Sequence, residues 1–528
     1  MKTLFSKINC IAILLVVFSV VPTFATNYYV DGVNGNNTNT GYYSILAKQT
    51  IQSAANLTNP GDTVFIMNGI YQVTSVNGNV LNMTRSGAAG QYITFKPMAG
   101  HSPKLKASGG AWEAIILDGS YVILDGLELE GNNANLTYTN AYQSWQNYEN
   151  NIKDWSVISG FNTNGISFGK NATVHHLIVR NCKVHDFPGA GMGGGKVDYV
   201  TVENNIVYNN SWYTMYATSG ISFLNTKNYD TETGYKIIIR NNIVYNNKTT
   251  VPWERTNALS DGNGIILDVN VGYTGRTLVE NNVSYNNGGG GIHAFRANHI
   301  DIINNTAYNN GTVVGYPEID GQQSTDVKIY NNIMYARTGG NCNGNDAGAI
   351  YDYNLYFNGS AFKKGAHDIT ADPKFINKAL DGTANFQLQN TSPAINNGSS
   401  VAGQFTANDI LGIARPVGFS SDMGAYEYPT VNPNGVTQID ATNDDVHVFP
   451  NPAKDKITVS FSARSGANVA IGLFDLQGRL HSAKNYTATN EGTNSVEFSV
   501  NSLRSGMYLL KVTGNSGLSK TTKIFIRN

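Results

Sequence analysis

Three short stretches between residues 253 and 296 gather one histidine, two arginines and three carboxylates. They sit in WER (253–255), SDGNGIILD (260–268) and GGGGIHAF (288–295), with Arg296 directly after. His293 is the residue type suited to take a proton near neutral pH. Arg296 and Arg255 suit a carboxylate, which a guanidinium holds through two parallel hydrogen bonds. Asp261, Asp268 and the amide oxygen of Asn263 are hard oxygen ligands of the kind Ca2+ takes. Lys196, in GMGGGK, is an alternative base. A base beside positive charge is what β-elimination of a uronic acid requires: the C5 proton leaves while a cation offsets the neighbouring carboxylate. Trp212, Tyr213, Tyr216 and Trp253 can stack on sugar rings, and Glu254 can accept from sugar hydroxyls. Each residue also has a plainer role. A surface histidine can be inert, aspartates cap turns, and aromatics pin insertions down.

The elements that position these residues are written as a repeat. NNIVYNN occurs at 204–210 and 241–247, with NNVSYNN at 281–287 and NNTAYNN at 304–310. Asn181 to Asn204 is 23 residues, as is Asn281 to Asn304, and the longer intervals fit the same period with insertions. A unit this short buries its core only against its neighbours. Before each asparagine lies an alternating β-rich run (DYVTVE, YKIIIR, RTLVE). After it comes a shorter one (IVY), and after a glycine corner a third (NGISF, SGISF, NGIIL, GGIHA). Three short strands per period describe one coil of a parallel β-helix, here right-handed with about ten coils. Asparagine tolerates left-handed backbone and carries both donor and acceptor groups. Asn181, Asn204, Asn241, Asn281, Asn304 and Asn331 are therefore expected to form an internal ladder. Alternation turns Ile166, Ile221, Ile265 and Ile292 inward, and Ser167, Ser222, Ile266 and His293 outward onto one stacked, exposed face.

Residues 1–25 read as a secretory signal: Lys2 and Lys7, an apolar run at 11–21, then Thr23 and Ala25 as a small-x-small site. No later segment has the length and apolarity of a spanning helix. The β-helix is expected over 26–428. It opens on a short amphipathic helix near 49–57, which caps the unpaired backbone of the first coil. Insertions fall at 133–160, 211–218 and 248–260, where binding loops belong. A Pro/Asn-rich linker spans 429–445, and 446–528 reads as a small β-sandwich. Cys182 and Cys342 fall several coils apart and are expected as buried free thiols. A net charge of −1 gives no broad basic field for nucleic acid, and the mature chain is expected to be monomeric.

Three stretches carry a resemblance. The opening to residue 72, the NN…Y coils and the DPKF…SPAIN…GAYEY close resemble secreted proteins of the pectate-lyase-like superfamily. The opening is most similar to the family-nine pectate lyases. Those lyases combine a calcium-binding aspartate cluster with a lysine base in a D-x-D-G-F-x-x-K arrangement. SDGNGIILD departs from it: Asn263 replaces the second aspartate and Asp268 stands where the lysine would be. FPNPAKDKITV, GLFDLQGRL and GMYLLKV at the C-terminus resemble the sorting domain of type IX secretion cargo. That resemblance implies a Bacteroidota-type envelope, the type IX machinery as partner, and a secreted or surface-attached product. Two function classes follow: a lyase of an acidic polysaccharide such as pectate or alginate, or a non-catalytic glycan-binding or adhesive protein.

Overall fold

The structure, a computed structural model, describes residues 25–418, 420–429, 446–463, 465–475, 480–514 and 519–527. Residues 1–24 of the expected signal peptide and 430–445 of the expected linker lie outside these residues. A complete coil places one strand in each of three parallel sheets, of eleven, eight and eleven strands, the second sheet being shorter because the terminal coils add no strand to it. One coil runs Tyr235–Arg240 in the first sheet, Ile243–Tyr245 in the third and Ile265–Asp268 in the second. The fold is a right-handed parallel β-helix. Its interior is a continuous stack of Val, Ile, Leu and Phe, including Ile166, Ile221, Ile265 and Ile292, all at most 1% exposed. Helix Ile51–Ala55 closes the first coil. Thr50 caps it by accepting from the Ser53 N–H, and Ile51, Ala54 and Ala55 turn into the core. Cys182 and Cys342 are buried free thiols.

The asparagine ladder lies one residue further along than the sequence reading placed it. Asn181, Asn204, Asn241, Asn281, Asn304 and Asn331 instead take the left-handed corner, with φ between 53° and 58°. The ladder is made by their successors. Nδ2 donates to the next Oδ1 from Asn205 to Asn242 at 3.0 Å, Asn242 to Asn282 at 2.9 Å, Asn282 to Asn305 at 3.0 Å, and Asn305 to Asn332 at 3.0 Å. The geometry gives the reason. The corner residue's own amide stays outside the coil, whereas the following side chain enters it, where an unpaired amide would be costly. A second ladder runs through Asn210, Asn247, Asn287 and Asn310 and ends on Glu318, which accepts from both the Asn310 backbone N–H and its Nδ2. The tyrosine between the two pairs points out. Tyr208, Tyr245 and Tyr285 stack at 4.9 and 4.8 Å, within 12° of parallel.

Corner asparagines 281, 304 and 331 tie down the C-terminal strap. Their Nδ2 groups donate to the carbonyls of Asn408, Asp422 and Gln404. The insertion at 133–160 folds as helices Tyr138–Glu149 and Trp155–Gly160, capped by Thr137 and Asp154. Residues 446–527 form antiparallel sheets of three and four strands around a core of their own that includes Phe461, Phe498 and Leu510.

Two stability predictions follow from the ladders. Asn242→Ala strands the Asn205 N–H, removes a donor from the Val202 carbonyl and leaves Asn282 Oδ1 with only the backbone N–H of residue 242, and should cost about 3 kcal/mol in chemical denaturation. Asn241→Gly, at a left-handed corner whose Oδ1 has no partner, should cost less than about 1 kcal/mol. Equal losses would contradict this division of labour. Burial pushes the Glu318 carboxyl up to about 8 from an ordinary 4.5, against the Asn310 bonds that favour ionisation. With the folded value above the unfolded one, stability is full below the unfolded value and falls as pH rises through about 8. Glu318→Gln keeps an acceptor for only one of these two donors, since its amide nitrogen cannot accept the other, but it removes the titration, so its melting relative to wild type should improve between pH 5 and 8.5, roughly the window separating the two states.

Candidate functional site on the second sheet

The outer face of the second sheet carries one register-matched row: Asn82, Ile116, Ser167, Gly193, Ser222, Ile266, His293 and Asp320. Alternation sets this row outward, as expected, but the expected exposure fails for its later members. Ser167 and Ser222 are half-buried, whereas Ile266 and His293 are each 4% exposed. The cover over His293 includes Tyr316, from the loop at 311–317, whose ring stacks on the imidazole at 5.1 Å between centroids. The period of two tells inside from outside but says nothing of what later loops lay on top.

His293 Nδ1 lies 2.5 Å from Asp320 Oδ1, one coil along. Burial pulls the imidazole's pKa down. The Asp320 carboxylate, with Asp261 and Asp268 nearby, outweighs burial, and the net shift is upward. Asp261 sits at a left-handed corner, φ 63°, between Ser260 Oγ at 3.1 Å and Asn263 Nδ2 at 2.9 Å. Burial, then the Asp268 charge, push its carboxyl up to about 6. Asp268 is raised by burial too, against His293 and Arg296. Neither aspartate has a cationic ion-pair partner within 4 Å among the described residues. Arg296 is exposed at the corner after the strand.

The other expected site residues are placed as follows. Asn263 is fully buried. Its Oδ1 accepts the Gly290 N–H at 2.7 Å and its Nδ2 turns to Asp261, so it braces two coils rather than offering a free ligand oxygen. Arg255 points to solvent across Trp253 and pairs with Glu254 at 3.3 Å. Trp212 donates from Nε1 to the Asn246 carbonyl. Tyr213 and Tyr216 pack with Met215, Val251 and Ile158, joining all three insertions into one apolar cluster with Trp112 and Trp145. Those rings pin the loops down; Trp155 and Tyr138, each half exposed, are presented to solvent there. Lys196 lies in a separate shallow pocket with Lys170 and Glu113. Sequence reasoning missed Asp320, Tyr316, Lys170 and Glu113. Asp320 stands in the outward row, so the register could have found it; the loop that brings Tyr316 back has no such signal.

A different group, Glu128, Glu130 and His185 on the third sheet, brings its ligand atoms within 4.8 Å of one another. Lys104, 3.0 Å from Glu128 and 2.7 Å from Glu130, already supplies its cation, with Lys106 2.6 Å from Glu130.

A family model described as the Pel9A-like, right-handed β-helix region matches residues 28–331. The chain belongs to the Pel9A-like β-helix family. A second model, the secretion system C-terminal sorting domain, matches 447–527. This Pel9A-like chain thus carries its address in a unit with its own core, and type IX secretion delivers it to the cell surface or exterior. No helix of the described residues is long and apolar enough to cross a membrane. Among solved structures, pectate lyase Pel9A is 17% identical, with 77% of this chain and 97% of that chain covered and a TM-score of 0.49. A rhamnogalacturonan lyase is 14% identical, covering 67% and 91%, with a TM-score of 0.38. The A-module of mannuronan C-5 epimerase AlgE4 from Azotobacter vinelandii is 16% identical, covering 58% and 88%, with a TM-score of 0.31. No curated protein matches the chain.

The pairing across the coil gives a direct prediction. Asp320→Asn removes the charge that most strongly opposes the burial penalty, so His293 should titrate at lower pH in an NMR pH series. An unmoved titration would mean that Asp320 does not control the imidazole.

Proposed function

We propose that the protein acts on an acidic polysaccharide, cleaving a uronan by β-elimination on the outer face of the second sheet. One observation carries this reading. A carboxylate-held imidazole, a tyrosine stacked on it and two aspartates without cationic ion-pair partners share adjacent coils, with an exposed arginine at their edge. His293 serves as the base. Asp320 holds Nδ1 and so leaves Nε2 to accept the C5 proton. Tyr316 is suited to protonate the leaving oxygen, and Arg296 to pair the uronate carboxylate.

Asp261 and Asp268 fit a hard cation. Burial pushes both carboxyls upward, the Asp268 charge repels Asp261, and neither has a cationic ion-pair partner within 4 Å among the described residues. Bound Ca2+ would relieve that repulsion and offset the substrate carboxylate. Asn263 is not part of this set, since its oxygen is committed to Gly290.

The cover over His293 favours a second reading, a glycan-binding surface protein without turnover, because a base must meet its proton. Polygalacturonate and alginate separate the two. Turnover should appear as ultraviolet absorbance from the new C4–C5 double bond and fall by about 100-fold or more in His293→Gln. Because carboxylates raise the imidazole, the rate should climb with pH through an alkaline limb and not peak in acid. Asp261→Asn should raise the calcium required. Binding of these polymers without absorbance would establish the non-catalytic reading.

A further inference from the structure

The geometry points to a carboxylate-binding subsite between Lys170 and Lys196. It lies about three coils from Arg296, where it would fix a second uronate of the same polysaccharide chain. The inference rests on the uronan reading above and adds to it a length requirement and a charge pattern for the ligand.

The corner that follows the second sheet repeats from coil to coil. Phe168, Gly194, Phe223, Leu267 and Ala294 are register partners. The residues two positions further on are Lys170, Lys196, Asn225, Val269 and Arg296. Cations therefore stand at both ends of one edge, with an amide and an apolar side chain between them and no carboxylate in the row. Lys196 to Arg296 is three coil steps, about 14 Å at the usual spacing of hydrogen-bonded strands. One coil step is close to the advance of one 1,4-linked pyranose residue, so a chain lying along the stack would present carboxylates at both ends of this edge.

The lysine end is a built pocket of 260 Å3. Glu113 lies beneath it with its side chain 7% exposed, and its Oε1 holds Lys170 Nζ at 2.5 Å. That bond fixes the ammonium and leaves its other hydrogens free. Lys196 is exposed and has no ion pair among the described residues. Two lysines against one glutamate leave a single positive charge, which matches one carboxylate. The floor between them is open because Gly193 interrupts the outward row. Its φ of +151° excludes ordinary side chains, and a Cβ there would stand 2.0 Å from the Ser222 carbonyl oxygen. A sugar ring can thus approach the backbone between Ser167 and Ser222.

The test is calorimetric binding of galacturonate oligomers to the full chain carrying His293→Gln, which holds cleavage off, after its melting has been checked. Lys196→Gln should weaken binding of the hexamer about tenfold, the effect of losing one charge-assisted hydrogen bond, and leave the trimer, too short to span both ends, unchanged. Lys196→Arg should restore it, and the fully methyl-esterified hexamer should be indifferent to both changes. A hexamer that binds equally well with Lys196→Gln overturns the subsite alone. So does a loss shared equally by trimer and hexamer, or by the esterified form. If the parental chain neither binds nor cleaves any uronate oligomer, the uronan reading falls and takes this subsite with it. Lys170→Gln with Glu113→Gln, which removes the pair without stranding a buried charge, should repeat the Lys196 result.

Discussion

The buried amide ladders hold the central coils of the β-helix in register. Each ladder side chain donates to a carbonyl within its own or the preceding coil and to the amide of the next, and accepts from the coil before. A register slip between coils would strand several buried polar groups at once, at a cost on the scale of the whole domain's net stability. The coils are therefore locked one above another, and whatever projects from them repeats at the same spacing. The stacked tyrosines of the third sheet, the outward row of the second and the basic edge beside it all inherit that spacing.

Periodicity alone would make the second sheet uniform, and the insertions break it. Its outer face is open where Ser167, Gly193 and Ser222 lie. It closes where the segments after the glycine corners lengthen and bring Tyr316 over His293. Titratable groups behave accordingly. At the open end Glu113 and Lys170 form a charged pair at the protein's edge. At the closed end burial pushes the carboxyls of Asp261, Asp268, Asp320 and Glu318 upward. The shifted Asp261, Asp268, Asp320 and His293 are the groups on which the site proposed above rests.

The ends of the helix are managed differently. A short helix plugs the first coil. At the other end the corner asparagines, having no partner in the ladder, bind a returning strap through its backbone. The same residue type thus serves three purposes: left-handed corner, internal ladder and clamp. The sorting unit shares none of this and keeps a separate core, as suits a segment whose role is address.

By itself the sequence determined the architecture: the 23-residue period, three strands per coil, the inward isoleucines, the capping helix and the C-terminal sorting unit are all local or periodic signals. It also brought His293, Asp261, Asp268 and Arg296 to adjacent coils, because coil register follows from repeat alignment. Tertiary structure decided the rest. Which asparagine of each pair enters the coil depends on the left-handed φ of the first, a corner geometry that composition does not encode. The exposure of His293, the commitment of Asn263 to Gly290 and the packing of Tyr213 and Tyr216 against distant helices depend on contacts between segments far apart in the chain. A period records what each coil does to its neighbours. It carries no record of where an insertion comes to rest, and in this protein the insertions close the site.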